Sequence, residues 1–188
     1  MTQQTAQNTD TTFQTSQCKI IPYATLDGIP TYKDSEIRAF YDKMVRDGVA
    51  GLIFHDGYIQ DADDFLRMMK GPDVALYIAH YKGDACGVGW LTHFEPKARS
   101  CRAHFTAFSE IWGEDTVSIG REIFNQMLHM KADDGEFVFD VFLGLVPAFN
   151  VRVIKWLNKV GLVAVGEIPN ILWNGKESVP GTLFYLTR

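Results

Sequence analysis

The order of elements read from the sequence predicts a mixed α/β domain of the α+β kind. Three observations predict it. Two amphipathic helices come early, a run of strands joined by tight turns follows, and the chain closes in strand-helix-strand-helix-strand order. Apolar residues make up 46% of the 188, with thirteen Phe and four Trp, enough to build one substantial core.

The elements follow in turn. Residues 1 to 17, MTQQTAQNTDTTFQTSQ, are uncharged except for Asp10 and are expected to form a mobile tail, leaving one domain over 18 to 188. This start lacks the basic opening and apolar centre of a signal peptide. CKIIPYATLDGIPTY carries two X-Pro breaks and a Gly, so an extended arm with turns is expected. DSEIRAFYDKMVRDG places Ile37, Phe40, Tyr41, Met44 and Val45 on one helical face, with Asp34 or Ser35 as the cap and Gly48 at the exit. GLIFHDGYI reads as a short strand, and DADDFLRMMKG as a second helix with acids in its first turn.

VALYIAHYKGD, ACGVGWLTHFEPKARS and CRAHFTAFSEIW read as a meander. A turn tip at Ala98-Arg99 would set Glu95 opposite Arg102 and His93 opposite His104, a register favoured by the opposite charges of the first pair. The GVG at 87 to 89 lies within a strand and allows another group to come close. VSIGREIFNQMLHMK presents Ile123, Phe124, Met127 and Leu128 as a helical stripe. FVFDVFLGLV is nearly continuous apolar sequence, as in a strand covered on both faces; Asp140 interrupts it, as a functional charge or a solvent-facing one. NVRVIKWLNKVG reads as a helix, and LVAVGEI and TLFYLTR as closing strands.

Composition narrows the function. The net charge is −5 with Lys and Arg scattered, which argues against a nucleic-acid surface but leaves room for an anionic small ligand. No apolar run reaches the roughly 18 residues of a membrane span. Cys18, Cys86 and Cys101 show no metal-ligand or CxxC spacing and read as reduced thiols of a cytoplasmic protein. His93 and His104 lack two further ligands for zinc, so no metal site is expected.

The element order, with the segment GLVPAFNVRVIKWLNKVG, resembles the GNAT superfamily of N-acetyltransferases over residues 74 to 188. The family's N-x-x-A-x-x-x-Y-x-x-x-G-F signature is matched in spacing by Asn150 and Gly161, with Val153, Leu157 and Leu162 at its other positions. The family's R/Q-x-x-G-x-G/A loop aligns with DTVSIG: the last Gly is Gly120, while Asp115 and Ser118 depart from the pattern. The combination AHF…W…IGR…N…G…GEIPN is most similar to the phage-type or prophage-type branch, whose loop is also irregular.

The resemblance implies a GNAT-like mixed sheet, with an antiparallel meander, a central parallel strand pair that splays apart, and flanking helices. It implies acetyl-CoA as cosubstrate and transfer of its acetyl group to an amine. The diphosphate is then expected on Thr116, Val117, Ser118, Ile119 and Gly120, where helix-start N–H groups attract an anion, with Arg121 adding charge. The pantetheine arm is expected near Phe108 and Ser109, with Pro147 helping to stop pairing across the splay. Asn150 caps its helix, bonds the cofactor arm, or does both. Glu110 and His104 are the candidate bases. Leu157 stands where the family has its proton-donating Tyr, which leaves the acid unassigned and keeps a noncatalytic, ligand- or protein-binding reading in play. The acceptor is a small-molecule or peptide amine of unspecified kind, and TLFYLTR is expected as an exposed C-terminal strand that could support a homodimer.

Overall fold

A computed structural model describes residues 17 to 113 and 115 to 188. The tail expected over 1 to 17 falls outside the described residues except for Gln17. The elements run β1 (Cys18–Pro22), β2 (Thr25–Leu26), β3 (Ile29–Pro30), α1 (Asp34–Arg46), α2 (Ala50–Ile53), α3 (Ala62–Met69), β4 (Ala75–Tyr81), β5 (Asp84–Glu95), β6 (Ser100–Ala107), α4 (Asp115–Leu128), β7 (Val141–Pro147), α5 (Val151–Val160), β8 (Val163–Trp173) and β9 (Ser178–Thr187). Seven strands form one mixed sheet in the order β1-β4-β5-β6-β7-β9-β8, and β6 and β7 are its parallel pair. The expected α+β class, meander and central parallel pair are all present. Among the described residues no helix is long and apolar enough to cross a membrane.

Each face of the sheet has its own core. Ile37, Met44, Phe65, Ile78, Val88 and Phe108 close one face beneath α1 to α3. Ile119, Ile123, Phe124, Phe142, Leu157 and Phe184 close the other beneath α4 and α5. The α4 stripe is buried as expected, and so are Ile37, Tyr41 and Met44 of α1; Val45, assigned to the same face, is 53% exposed. The α1 cap also differs. The main-chain N–H of Lys33 donates to the Glu36 carboxylate at 2.7 Å, while Asp34 pairs with Lys70 at 2.8 Å. In α3, Asp61 accepts from the N–H groups of Asp63 and Asp64, a Glu-free cap built from one carboxylate.

Three further expectations are corrected. GLIF is not a strand; residues Ala50–Ile53 form the single turn α2. The β5–β6 register sets Trp90 opposite His104, Thr92 opposite Arg102 and Glu95 opposite Ser100. A bulge between Thr92 and Glu95 moves the hairpin tip, and His93 takes φ 52°, so the Glu95–Arg102 and His93–His104 pairs do not form. TLFYLTR is not an exposed edge, because β9 lies between β7 and β8 and the edge is β8. Asp140 has a structural role, paired with Arg99 at 3.2 Å and with Arg188.

Candidate functional site

The parallel pair is joined for only three residues: Ser100 with Val141, Cys101 with Phe142, Arg102 with Leu143. Yet β6 continues to Ala107, still paired with Gly87 of β5, and β7 continues to Pro147, still paired with Gly181 of β9. Each strand keeps its outer neighbour and abandons its inner one, so a wedge opens in the middle of the sheet.

Strand alternation shows which groups face that wedge. The Phe108 N–H donates to the Cys86 carbonyl at 2.8 Å, so even-numbered β6 residues turn their main chain to β5. Ala103, Phe105 and Ala107 turn theirs to the gap. On β7, the Ala148 N–H donates to the Pro180 carbonyl at 2.9 Å, which leaves Leu145 and Pro147 facing the gap. Pro147 has no N–H to offer, and its carbonyl accepts from the Asn150 N–H at 2.8 Å. The Ala107 carbonyl takes the indole N–H of Trp112 at 3.0 Å. Main-chain groups of Phe105 and Leu145 therefore line an opening in the sheet interior, a place where such groups are ordinarily paired.

Two cavities share this opening. One, of about 410 Å³, lies at the wide end among Ala107, Trp112, Gly113, Thr116, Arg152 and Trp156. The other, of about 330 Å³, lies at the apex and takes polar side chains from His55, Asp56, Tyr58, Arg102 and His104. Phe105, Asn150, Val153 and Trp156 line both. Trp156 of α5 stacks on Phe105 with ring centroids 5.9 Å apart and 12° between planes, and its indole N–H donates to the Thr116 carbonyl at 3.3 Å. The α5 helix is thereby fixed to both β6 and the first turn of α4. At the wide end, the Arg152 guanidinium stands 5.7 Å over the Trp112 ring.

At the apex, His104 lies flat on Trp90, with centroids 5.1 Å apart and 1° between planes. The Thr92 hydroxyl bridges His104 Nε2 at 3.1 Å and His93 Nδ1 at 2.9 Å. Burial first, then the charges of Arg102 and His93, push the His104 pKa down to about 4. The ring is neutral at pH 7. His55 Nδ1 is buried with no hydrogen-bond partner.

No family model matches the sequence, and no curated protein matches it. Solved structures do match. A spermidine N-acetyltransferase from Vibrio cholerae, solved with CoA and spermine, is similar at TM-score 0.65 and 10% identity, over 91% of this chain and 95% of that one. An acetyltransferase from Salmonella typhimurium that modifies the N-terminal serine of a 50S ribosomal subunit protein is similar at TM-score 0.72 and 9% identity, over 93% and 96%. A microcin self-immunity acetyltransferase, solved with acetyl-CoA and AMP, is similar at TM-score 0.58 and 10% identity, over 80% and 88%. All three are GNAT-family enzymes. This chain has the GNAT fold.

The GNAT wedge gathers only some of the residues expected there. Asn150 caps α5, its side chain accepting from the Val153 N–H at 3.4 Å, and it lines both cavities. His104 and Leu157 line the apex, and Thr116 the wide end. Phe108 is fully buried in the α1–α3 core and its N–H is spent on Cys86. Ser109 gives its N–H and hydroxyl to the Asp47 carboxylate, at 2.9 and 2.8 Å. The free edge is two to three residues earlier, at Phe105 and Ala107, because the chain turns away into a 3-10 turn at Ser109–Ile111. Glu110, in that turn, is exposed, pairs with Lys43, and lines neither cavity; the Lys43 hydrogen bond lowers its pKa.

The α4 start is reshaped in the same way. Ile119 and Gly120 are buried inside the helix, where the i to i−4 ladder consumes their N–H groups. Gly120 is small for a different neighbour: an added Cβ would meet the Trp156 ring at 2.5 Å. The Arg121 guanidinium donates to the Lys159 carbonyl at 2.5 Å, closing the end of α5. Ser118 turns its hydroxyl back to the Asp115 carbonyl at 2.9 Å, and Val117 packs against the core. Arg152, Asp56 and Ala107 carry no site signal in the sequence, and Arg102 shows there only as a cross-strand partner for Glu95, because strand register and helix placement decide which charges meet.

Proposed function

We propose that this protein is an N-acetyltransferase that moves the acetyl group of acetyl-CoA to an amine. The observation that carries the reading is the wedge between β6 and β7, with bare main-chain groups of Phe105 and Leu145 along its walls. An extended, amide-bearing arm is the ligand such an edge suits, since it completes the missing ladder. The solved structures of the same fold that hold CoA or acetyl-CoA support it.

Residue roles follow from position. The wide-end cavity, with the helix-start N–H groups near Thr116 and the Arg152 guanidinium, suits a diphosphate. Asn150 holds α5 in place while bordering the arm. Bound acetyl-CoA supplies the activated thioester; the carbonyl C–S bond breaks as the C–N bond forms. The amine arrives at the apex as an ammonium and must lose a proton. His104, neutral and weakly basic, takes that proton and passes it to solvent water, since its low pKa keeps it from holding the proton. Leu157 has no proton to give a leaving sulfur, so that proton comes from water. No cysteine intervenes: burial pushes Cys86 up to about 11 and Cys101 up to about 12, and neither lines the wedge. Transfer is direct. Reduced thiols fit a cytoplasmic setting.

The test is thermal unfolding with acetyl-CoA, then thiol release with an amine panel. Cofactor at a hundred times its Kd is expected to stabilise by about 2.7 kcal/mol and raise Tm by roughly 5 to 10 °C. A noncatalytic GNAT-fold binding domain is the second reading, favoured by Leu157 at the apex. A Tm rise without thiol release from any amine selects it.

A further inference from the structure

We infer that the acceptor is a small zwitterion, a primary amine carrying a carboxylate on an apolar body, with Arg102 as the carboxylate contact. The inference rests on the acetyltransferase reading and names the substrate class of the same site.

Arg102 is the last residue of β6 paired with β7, so it stands at the point where the wedge closes. It is half-buried and lines the apex cavity. Among the described residues it has neither an ion pair nor a hydrogen-bonded carboxylate, unlike Arg38, Arg67, Arg99 and Arg188. An unpaired guanidinium in a cavity wall is free to take a ligand, and its planar fork suits a carboxylate.

Asp56 lines the same cavity and does not pair with Arg102; one of its oxygens accepts from the Tyr58 N–H at 3.1 Å. Other groups here are His104, held neutral, and the His55 ring, whose buried Nδ1 is unbonded. One cavity thus holds a cation and an anion that leave each other unsatisfied. An occupant with a carboxylate and an ammonium satisfies both at once. Arg102 and His104 are two apart on one strand face, so their Cα atoms are roughly 7 Å apart, a span that a small amino acid bridges.

The rest of the wall is apolar and open. Leu52, Leu143, Ile171 and Trp173 line the cavity while 46%, 37%, 46% and 46% exposed. Exposed apolar residues gathered round one concave site mark a surface awaiting an apolar body. A polyamine fits poorly, because it would bring like charge to Arg102 and carries no carboxylate to answer it.

The experiment measures thiol release by the full chain from acetyl-CoA with leucine, phenylalanine, their amides, and spermidine. The free acids are expected to exceed their amides in kcat/KM by about 10- to 100-fold, the span of a charge-assisted hydrogen bond. Arg102→Gln should remove the advantage of the acids, bringing the acid-to-amide ratio of kcat/KM to within about twofold of one, chiefly through a higher KM for the acids. Asp56→Asn should weaken acids and amides alike, since both carry the amine. The acetyl-CoA Tm shift, retained in each variant, shows that the fold survives. The inference is overturned if amides match acids, if Arg102→Gln affects both equally, or if spermidine alone is consumed. A wild-type protein whose Tm ignores acetyl-CoA instead overturns the acetyltransferase reading beneath it.

Discussion

His104 shows how one side chain joins stability to function. Burial first, then the charges of Arg102 and His93, favour the neutral ring, which lies on Trp90 and bonds to Thr92. The folded pKa, about 4, lies below the ordinary 6.5, so the unfolded chain binds the extra proton first as pH falls. The stability contributed by His104 is therefore complete above pH 6.5 and is lost as pH falls from 6.5 towards 4. The loss is at most about 3 kcal/mol from this one group. Denaturant unfolding of the wild type and His104→Phe across pH 4 to 8 measures it: the wild type should lose more stability on acidification than the variant. A parallel loss in both would remove His104 as the cause.

At the scale of elements, the contact between α4 and α5 holds the wide end of the wedge. Gly120 admits the Trp156 ring, and Trp156 is held in turn by Phe105, Phe124 and the Thr116 carbonyl. Gly120→Ala would gain up to about 1 kcal/mol of helix propensity. The added methyl meets a ring with nowhere to swing, and overpacking of that kind costs about 1–3 kcal/mol. A net loss is expected, with weaker acetyl-CoA binding as Trp156 shifts; urea unfolding and the cofactor Tm shift read the two. A more stable variant would show that Trp156 has room.

Elements with strong periodicity were legible from the sequence, among them the buried α4 stripe and the Asn150-to-Gly161 helix, whose Gly161 ends it at φ 117°. The α2 turn was not, since four apolar-rich residues fit a strand as well as a helix. The β5–β6 register was missed because a charge pair predicted one alignment and a bulge produced another. That slip separated Arg102 from its true neighbours. The bare strand edge lies a few residues before Phe108 and Ser109 for a related reason: where the strand stops depends on Asp47 and Lys43, far away in sequence.

For the whole molecule, a sheet that parts at its centre has a dynamic signature. The central strands of a sheet are ordinarily the last to give up their amide protons, since reaching them requires global unfolding. Here the Phe105 and Leu145 amides sit on central strands yet bond to no neighbouring strand, while Thr106 and Gly144 pair outward. Hydrogen–deuterium exchange should therefore alternate residue by residue along β6 and β7, fast at 105 and 145 and slow at 106 and 144. Uniform slowness would mean that the strands close in solution. Acetyl-CoA should slow the fast set alone, so the molecule would report occupancy of its own interior through a handful of protons.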